Sequence, residues 1–555
     1  MAQVDIKSAE LPEDTDYVDS PQLMSNVPSE ELLRVQALAE IDNVPIGSSH
    51  IRAVVVAGTG FFTDAYDLFS ANFITTMIGL SYFKSHTMPP AAETAIKLST
   101  TAGAVIGQVL FGWLADKLGR KKMYGVELII IIIGTFGQTI TGAGPSVGLL
   151  GPLIFWRVFM GIGVGGDYPL SSVITSEFAT VKWRGALMNS VFAMQGFGNF
   201  AAALVTFICV VAFKDSLIEA ETPAQCDARC QLATDKMWRI IVAFGCFPAL
   251  CALYFRLTIP ETPRYTMDIS FDLEKAKADT DAYLSGKRKS TLVGENAATV
   301  KARQQAAGPK ATWKEFWLHF RIWRHGKILL GTAGSWFFID IAFWGLGLNN
   351  STILRAIGYA GTTNVYHSLY NIAVGNLILS VAGNIPGYWV SVATIDTLGR
   401  KPIQMASFII LTVLFCIIGF GYYHLTPHAL FALYVLCQFF SNFGANSTTF
   451  IVPGEVFPTR FRSTAHGISA AAGKVGAVIA QALLGPLANI GGTSKWLNHV
   501  MEIFAGFMLC GVATTLLIPE TKRRSLEELA ATYHGDVVVV AGGENGTSPA
   551  IAKSE

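Results

Sequence analysis

Long apolar runs recur along the whole chain, and polar residues are concentrated between these runs and at the two ends. A helix needs about 20 predominantly apolar residues to cross a bilayer. Runs near this length occur in two sets of six, so the pattern predicts twelve membrane-spanning helices. The first set lies at 51–80, 95–117, 122–143, 149–179, 185–213 and 236–258, and the second at 327–352, 366–393, 401–423, 428–456, 463–490 and 497–518.

The polar stretches divide the chain into five predicted parts. Residues 1–50 form an N-terminal segment, in which 28–42 has the composition of one short helix. Six spans follow in 51–259, and six more in 327–519. Between them, 260–326 is rich in charged residues and alanine and is predicted to be a linker with some helix and no core of its own. The polar tail covers 520–555.

Basic residues in alternate loops predict the orientation. Loops on the cytoplasmic side of membrane proteins carry an excess of lysine and arginine. Such clusters follow the second, fourth, eighth, tenth and twelfth spans, at 117–122, 182–184, 400–401, 460–462 and 522–524. The chain is therefore expected to be multi-pass with both termini and the linker in the cytoplasm.

The two sets of spans share short motifs in the same order. The pattern D-x-x-G-R-K occurs at 116–121 and again at 396–401. An acid stands seven residues before an arginine at 177–184 and at 455–462, and "PETPR" at 260–264 returns as "PETKR" at 519–523. These repeats predict two pseudo-symmetric six-helix halves, and their charged residues are expected to form latches between helix ends.

Composition agrees with a membrane protein and argues against other classes. Hydrophobic residues make up 51% of the chain and charged residues only 15%, against about 25% charged in soluble proteins. The net charge of +1 gives no indication of nucleic-acid binding. His86, His424 and His466 are scattered without metal-ligand spacing, so no enzyme, cofactor or metal site is expected. Cys226 and Cys230, in a predicted extracytoplasmic loop, are expected to form a disulfide.

Ionisable residues inside spans are the candidates for function, because each costs roughly 2.5–3.5 kcal/mol on insertion scales. Glu177 and Glu455 lie near span ends and fit the latches, and Glu127 is expected to pair with a loop cation. The full set is Asp64, Asp67, Glu127, Asp167, Glu177, Asp340, Glu455 and Lys474.

Two pairs of these residues suggest a mechanism. Asp64 and Asp67 are three residues apart and share a helix face, so repulsion predicts that at least one holds a proton. The alternative is a pair that is hydrogen-bonded to serine, threonine or amide groups of a neighbouring helix. Asp340 and Lys474 lie in the middle of two spans of the second half, either as a structural ion pair or as part of a substrate site. Lys474 is the only cation that sequence inspection places deep in a span, and it suits an anion.

The stretch "GIGVGGDYPLSSVITSE" at 161–177 is polar for a membrane span. Its glycines, together with Gly103 and Gly107 of the second span, would allow close helix contact. Pro169 removes a backbone hydrogen bond and can kink the helix, which would turn Asp167 and Tyr168 toward a central cavity.

Five longer segments resemble the fungal and plant phosphate:proton symporters, which belong to the major facilitator superfamily. The segments are "FFTDAYDLF" (61–69), "GGDYPLS" (165–171), "FAMQGFGN" (192–199), "WFFIDIAFWGLGLN" (336–349) and 445–477. The resemblance covers nearly all of the membrane region, and "GGDYPLS" is quite specific to that family. The resemblance implies an all-α major facilitator fold in the plasma membrane and proton-coupled import of inorganic phosphate.

The same resemblance implies which residues contact phosphate. They are Tyr168, Gln195, Trp336, Asp340, Asn446 and Lys474, together with Trp344 at a position where the family usually has tyrosine. The acids available to carry protons are Asp64, Asp67, Asp167 and Asp340. Three alternatives remain open: a permease for a phosphate ester such as a glycerophosphodiester, a facilitator for a sugar or an organic anion, and a receptor that binds phosphate without moving it.

Overall fold

Twelve long helices form the body of the protein, as described by a computed structural model that covers residues 47–258, 261–268, 312–492, 494–535, 538–540 and 550–552. The first six are α1 (Ser48–Tyr82), α2 (Pro90–Leu118), α3 (Val126–Ile140), α4 (Leu150–Phe178), α5 (Arg184–Ala212) and α6 (Ala228–Phe244, continued by Cys246–Thr258). The second six are α7 (Trp323–Gly347), α8 (Val365–Ile378, continued through a π-turn at Leu379–Asn384 by Ile385–Leu398), α9 (Arg400–Gly421), α10 (Pro427–Phe443, continued by Ala445–Val456), α11 (Arg462–Ala488) and α12 (Leu497–Thr515).

Short elements connect these helices. They are helices at Arg120–Met123, Lys214–Leu217, Pro263–Asp268, Asn350–Ala356 and Leu526–His534, a 3₁₀ turn at Pro223–Gln225, and the linker helix at Trp313–Phe320. Val538–Val540 pairs antiparallel with Ala550–Ala552. The helix expected at 28–42 and most of the predicted linker lie outside the described residues. The expected disulfide between Cys226 and Cys230 is formed, with the Cα atoms 5.2 Å apart.

The predicted all-α architecture is confirmed, with an instructive difference among the helices. Within the described residues, ten helical segments are long and apolar enough to cross a membrane. The long helices α1 and α4 are not among them. These two helices carry Asp64, Asp67 and Asp167 inside their sequences, so their polarity marks them as helices that face other helices.

Small residues allow α2 and α4 to approach closely, as the glycine pattern predicts. A Cβ atom added at Gly107 would lie 2.1 Å from the carbonyl oxygen of Ile162, and one added at Gly165 would lie 2.3 Å from that of Ala104. Glycine is required on both helices because any side chain would overlap the opposing backbone. This contact holds "GGDYPLS" in place against α2.

The repeated motifs form equivalent turns in the two halves. Gly119 and Gly399 have φ angles of 102° and 101°, a conformation that glycine adopts without strain. In the first half the Lys121 N–H donates to Glu261 at 3.2 Å, and in the second half the Lys401 N–H donates to Glu520 at 2.9 Å. Each "PET" motif therefore closes onto the "GRK" motif of its own half.

Carboxylates from each half cap a helix of the other half. Asp116 of α2 accepts from the Thr464 N–H at 2.7 Å, at the start of α11. Asp396 of α8 accepts from the Ala186 N–H at 2.8 Å, at the start of α5. A helix N-terminus favours negative charge, so these contacts stabilise closure of the two halves at this end of the bundle.

Buried ion pairs complete the same end of the molecule. Glu177 accepts from Arg462 of the other half at 2.9 Å and from Arg120 at 3.3 Å. Glu455 accepts from Arg400 of its own half at 2.8 Å. The predicted latches are thus present, and we call the end that carries Asp116, Arg120, Glu177, Asp396, Arg400 and Glu455 the latch face.

Candidate functional site

An ion pair between the middle of α7 and the middle of α11 lies at the centre of the second half. Lys474 Nζ donates to Asp340 Oδ2 at 3.0 Å. Both residues are almost completely inaccessible, at 2% and 0% exposure. Asp340 Oδ1 is buried without a hydrogen-bond partner among the described residues. The pair therefore offers one cation and one free acceptor within the membrane region.

Aromatic rings of both halves surround the lysine. Its Nζ lies 4.7 Å from the ring centre of Tyr168 on α4 and 4.4 Å from that of Trp344 on α7. Aromatic faces attract a cation, so the two rings hold the ammonium group between the halves. Trp344 also stacks on Phe69 of α1, with ring centres 5.4 Å apart. The ring centres of Trp336 and Tyr168 are 6.3 Å apart.

A chain of hydrogen bonds crosses the interface of the halves beside this pair. Gln195 Nε2 of α5 donates to the Tyr168 hydroxyl at 3.2 Å, and its Oε1 accepts from the Tyr388 hydroxyl at 3.4 Å. Asn446 Nδ2 of α10 donates to the same Tyr388 hydroxyl at 2.9 Å. The structure therefore brings together all seven residues predicted to contact phosphate, and it adds Tyr388.

The chemistry of this chamber fits a small, partly protonated oxyanion. The ammonium, hydroxyl, amide and indole groups can donate hydrogen bonds, and the free oxygen of Asp340 can accept one. The seven predicted residues are between 0% and 3% exposed. Contacts between the halves close the chamber on the side away from the latch face as well: Asn72 Nδ2 donates to the Gly347 carbonyl at 2.8 Å and Lys97 Nζ to Asn349 Oδ1 at 3.0 Å.

The two acids of α1 lie in different surroundings. Asp67 Oδ2 accepts from the Thr135 hydroxyl of α3 at 3.1 Å, and a Cβ atom at Gly245 would lie 2.1 Å from its Oδ1. Neither oxygen of Asp64 has a hydrogen-bond partner among the described residues, although the residue is only 1% exposed. A buried carboxylate without donors is costly, so Asp64 has the surroundings of a carboxyl group that holds a proton.

The predicted kink at Pro169 suggested that Asp167 would face the central chamber, but Asp167 is paired outside it. It accepts from Arg256 of α6 at 2.8 Å and from the Ser171 hydroxyl at 2.5 Å. Glu127 accepts from the same guanidinium group at 2.7 Å. A Cβ atom at Gly60, one turn before Asp64, would overlap this group. The cluster thus borders the face of α1 that carries Asp64.

Two expectations about charged residues are therefore wrong. Glu127 pairs with Arg256 inside a span and not with a loop cation. Lys474 is not the only cation buried within the spans, because Arg256 and Arg157 are each 1% exposed. Arg157 donates to the Ile96 carbonyl at 2.9 Å and to Gln138 at 3.2 Å. Sequence inspection missed these partners because they come from distant helices.

Comparison with known proteins agrees with this architecture. Residues 53–533 match the family described as sugar (and other) transporter. The chain is 55% identical over 509 residues to a repressible high-affinity phosphate permease of Neurospora crassa, covering 90% of this chain and 89% of that protein. It is 53% identical over 516 residues to an inorganic phosphate transporter of Saccharomyces cerevisiae, covering 90% and 87%.

Solved structures show the same fold at low sequence identity. The major facilitator superfamily proton:xylose symporter XylE, bound to 6-bromo-6-deoxy-D-glucose, superimposes with a TM-score of 0.66 at 19% identity. The match covers 88% of this chain and 99% of that one. At this identity the likeness establishes the fold and not the substrate.

Proposed function

Because the chain belongs to the sugar (and other) transporter family of the major facilitator superfamily, and within it to the phosphate transporters, we propose that it is a proton-coupled symporter importing inorganic phosphate by alternating access. It acts as a transporter and not as an enzyme. The observation that carries this proposal is the buried Lys474–Asp340 pair, closed in by donors from both halves.

Phosphate would replace part of the existing network. Lys474 supplies the positive charge, and Tyr168, Gln195, Tyr388 and Asn446 turn donors toward the phosphate oxygens. Hydrogen bonds to a charged group are worth about 1.5–3 kcal/mol each. Because these donors come from α4, α5, α8, α10 and α11, a bound anion would hold the two halves together.

Asp340 gives the site a means of selecting phosphate. Phosphate near neutral pH still carries at least one proton, because it has one more ionisable hydroxyl group than a phosphate ester, whose second proton is lost at about pH 6. The free Oδ1 of Asp340 can accept a hydrogen bond from that P–OH group. Sulfate has no proton to donate, so it would leave the carboxylate unpaired, and sites reject ligands strongly on this ground.

Proton coupling follows from the charge of the substrate. Moving one negative charge inward against the membrane potential costs about 2.3 kcal/mol per 100 mV. With two protons per monovalent phosphate, the net charge moved inward would be positive, and the membrane potential would then favour uptake. Asp64, Asp67, Asp167 and Asp340 are the proposed carriers. Asp64 is the strongest candidate among the three of the first half, because no described residue donates a hydrogen bond to its oxygens.

Alternating access would open the two closed ends in turn. The latch face would open toward the cytoplasm, with both termini on that side, because the basic loop residues lie at this end. The proposed location in the plasma membrane rests on the resemblance to the phosphate:proton symporters. The five-part division proposed from the sequence then gives two moving halves, 51–259 and 327–519, joined by the segment 260–326.

Uptake of labelled phosphate into proteoliposomes tests the proposal. With no membrane potential imposed, purified protein should accumulate phosphate above equilibrium only when the outside is more acidic, and a protonophore should abolish accumulation. Excess sulfate and glycerophosphocholine should not compete. Uptake that is the same with and without the pH gradient would contradict proton coupling. Competition by glycerophosphocholine would favour the phosphate-ester permease. Saturable binding without any uptake would favour the receptor.

A further inference from the structure

Three histidines from distant parts of the chain meet beside the latch face. His319 belongs to the linker helix, His325 to the first turn of α7, and His534 to the helix at Leu526–His534. One side-chain nitrogen of each lies within 4.8 Å of the other two. No spacing rule could have found this cluster, since 215 residues separate His319 from His534.

Nitrogen atoms of two of the rings face one another, and the third ring stacks on one of these two. His319 Nε2 lies 3.0 Å from His534 Nδ1, and the rings of His319 and His325 stack with centres 4.2 Å apart. The Nδ1 atom of His325 lies 3.1 Å from the His319 carbonyl oxygen. A carbonyl can only accept, so Nδ1 carries the hydrogen and Nε2 keeps its lone pair. Histidine ligands of metals are commonly oriented in this way.

The surroundings favour neutral imidazoles. His534 is 4% exposed, and Phe320 and Phe461 pack against His319. Burial is the main reason that the pKa of His319 is lowered to about 4 and that of His534 to about 3. Neutral rings at physiological pH offer lone pairs to a metal ion without first losing a proton.

We propose that His319, His325 and His534 form a site for a divalent transition-metal ion of the Zn²⁺ class. Imidazole nitrogens bind Zn²⁺ at about 2.0–2.1 Å, and three protein ligands with one open position form a common tetrahedral arrangement. Two nitrogens on one such ion lie roughly 3.3 Å apart by that geometry. The pair at 3.0 Å needs to separate by a few tenths of an ångström, and the ring of His325, which stacks on His319, needs to turn so that its nitrogen points at the ion.

The consequence of binding would be to fix the C-terminal helix in place. That helix also contacts the start of the linker, because Arg264 donates to Glu527 at 2.8 Å, and Arg264 donates in turn to the Glu177 carbonyl of the first half at 2.5 Å. A metal ion would therefore tie the linker helix, the start of α7 and the C-terminal helix into one unit at the end where the halves meet. The proposal does not depend on which substrate the central chamber takes.

Zinc titration of the purified full-length protein tests the site. The protein should carry no polyhistidine tag, should be stripped with a chelator and should be kept in phosphate-free buffer. Calorimetry should show one Zn²⁺ bound per chain with a micromolar or lower Kd. His319→Gln and His534→Gln should each weaken that affinity at least 100-fold. His428→Gln, at an exposed position in the first turn of α10, is the matched control and should bind as the parent does.

A second measurement on the parent protein guards against misfolded variants. Hydrogen exchange in 526–534 should slow on adding Zn²⁺, and X-ray absorption of the bound ion should show three imidazole ligands. The absence of saturable Zn²⁺ binding by the parent protein would overturn the proposal. Unchanged affinity in folded His319→Gln and His534→Gln proteins, or an absorption spectrum without imidazole scattering, would do the same.

Discussion

The indole of Trp344 occupies a position where resemblance leads one to expect a tyrosine. The ring is 2% exposed, stacks on Phe69 and lies 4.4 Å from Lys474 Nζ. An indole N–H donates a hydrogen bond but cannot accept one. The residue therefore stabilises the ammonium group through its face and limits what else can approach it.

Trp344→Tyr should support transport with a changed apparent affinity for phosphate. The smaller ring weakens the contact with Lys474 and introduces a hydroxyl group that can both donate and accept. Loss or gain of one such interaction is worth about 1 kcal/mol, or about a fivefold change in KM. Uptake curves for both proteins at matched membrane levels measure the change. Superimposable curves would mean that Trp344 is not a contact.

Tyr388→Phe should weaken phosphate binding without preventing folding. The hydroxyl group joins Gln195 to Asn446, so its loss leaves both amides short of a partner and the anion short of a donor. We expect apparent affinity to fall by about tenfold, since 1.4 kcal/mol is tenfold in binding. Tyr423→Phe, on an exposed hydroxyl group, is the control. Equal affinities of the two variants would remove Tyr388 from the site.

At the residue scale, sequence patterns identify polar side chains in spans but not their partners. Asp340 and Lys474 stand out because each is a charge inside an apolar run, and their contact is confirmed at 3.0 Å. Tyr388 does not stand out, since a tyrosine in a membrane helix is unremarkable until its hydroxyl group is seen between two amides. Arg256 is close to a span end in sequence, yet its side chain reaches the middle of α4.

At the scale of elements, close packing of α2 against α4 is the contact most sensitive to substitution. Gly165→Val should lower the thermal stability, because its Cβ atom would lie 2.3 Å from the Ala104 carbonyl oxygen. Overpacking of this kind costs about 1–3 kcal/mol or more. Gly151→Val, near the start of the same helix with nothing within 4 Å, should leave stability almost unchanged. Equal melting temperatures would show that the helices can separate freely.

The apolar pattern predicts the positions of the long helices well, but it does not predict the interruptions within them. All twelve helices were expected, but their interruptions were not. These are the break of α6 near Gly245, the π-turn of α8 and the break of α10 at Gly444. Such π-turns are frequent at functional sites, and this one leads directly into the segment of Tyr388. Hydrophobic periodicity cannot reveal the extra residue that a π-turn contains, because the sequence stays apolar through the turn.

At the scale of the whole molecule, the two halves are alike but their latches are not equivalent. Glu177 reaches Arg462 across the interface, whereas Glu455 pairs with Arg400 inside its own half. Repeated motifs in the sequence predict that latches exist. They cannot show which latch crosses the interface, because that depends on how the halves dock.

Glu177→Gln should therefore open the latch face more often than Glu455→Gln does. Removing the charge leaves Arg462 without its partner across the interface, and breaking a buried ion pair is strongly destabilising. We expect hydrogen exchange in 457–464 and 116–123 to rise about tenfold in Glu177→Gln. In Glu455→Gln the increase should instead centre on the Arg400 and Thr521 contacts. The same exchange pattern in both variants would contradict this asymmetry.

The central claim is that Asp340 and Lys474 hold a proton-carrying phosphate, and the most direct test is pH-driven uptake by Asp340→Asn in proteoliposomes. Asparagine keeps the shape but cannot ionise, so accumulation should fall by more than tenfold while the protein stays folded. Asp215→Asn, at an exposed site, should accumulate phosphate as the parent does. Normal pH-driven accumulation by a folded Asp340→Asn protein would contradict the account and move the coupling role to Asp64, Asp67 or Asp167.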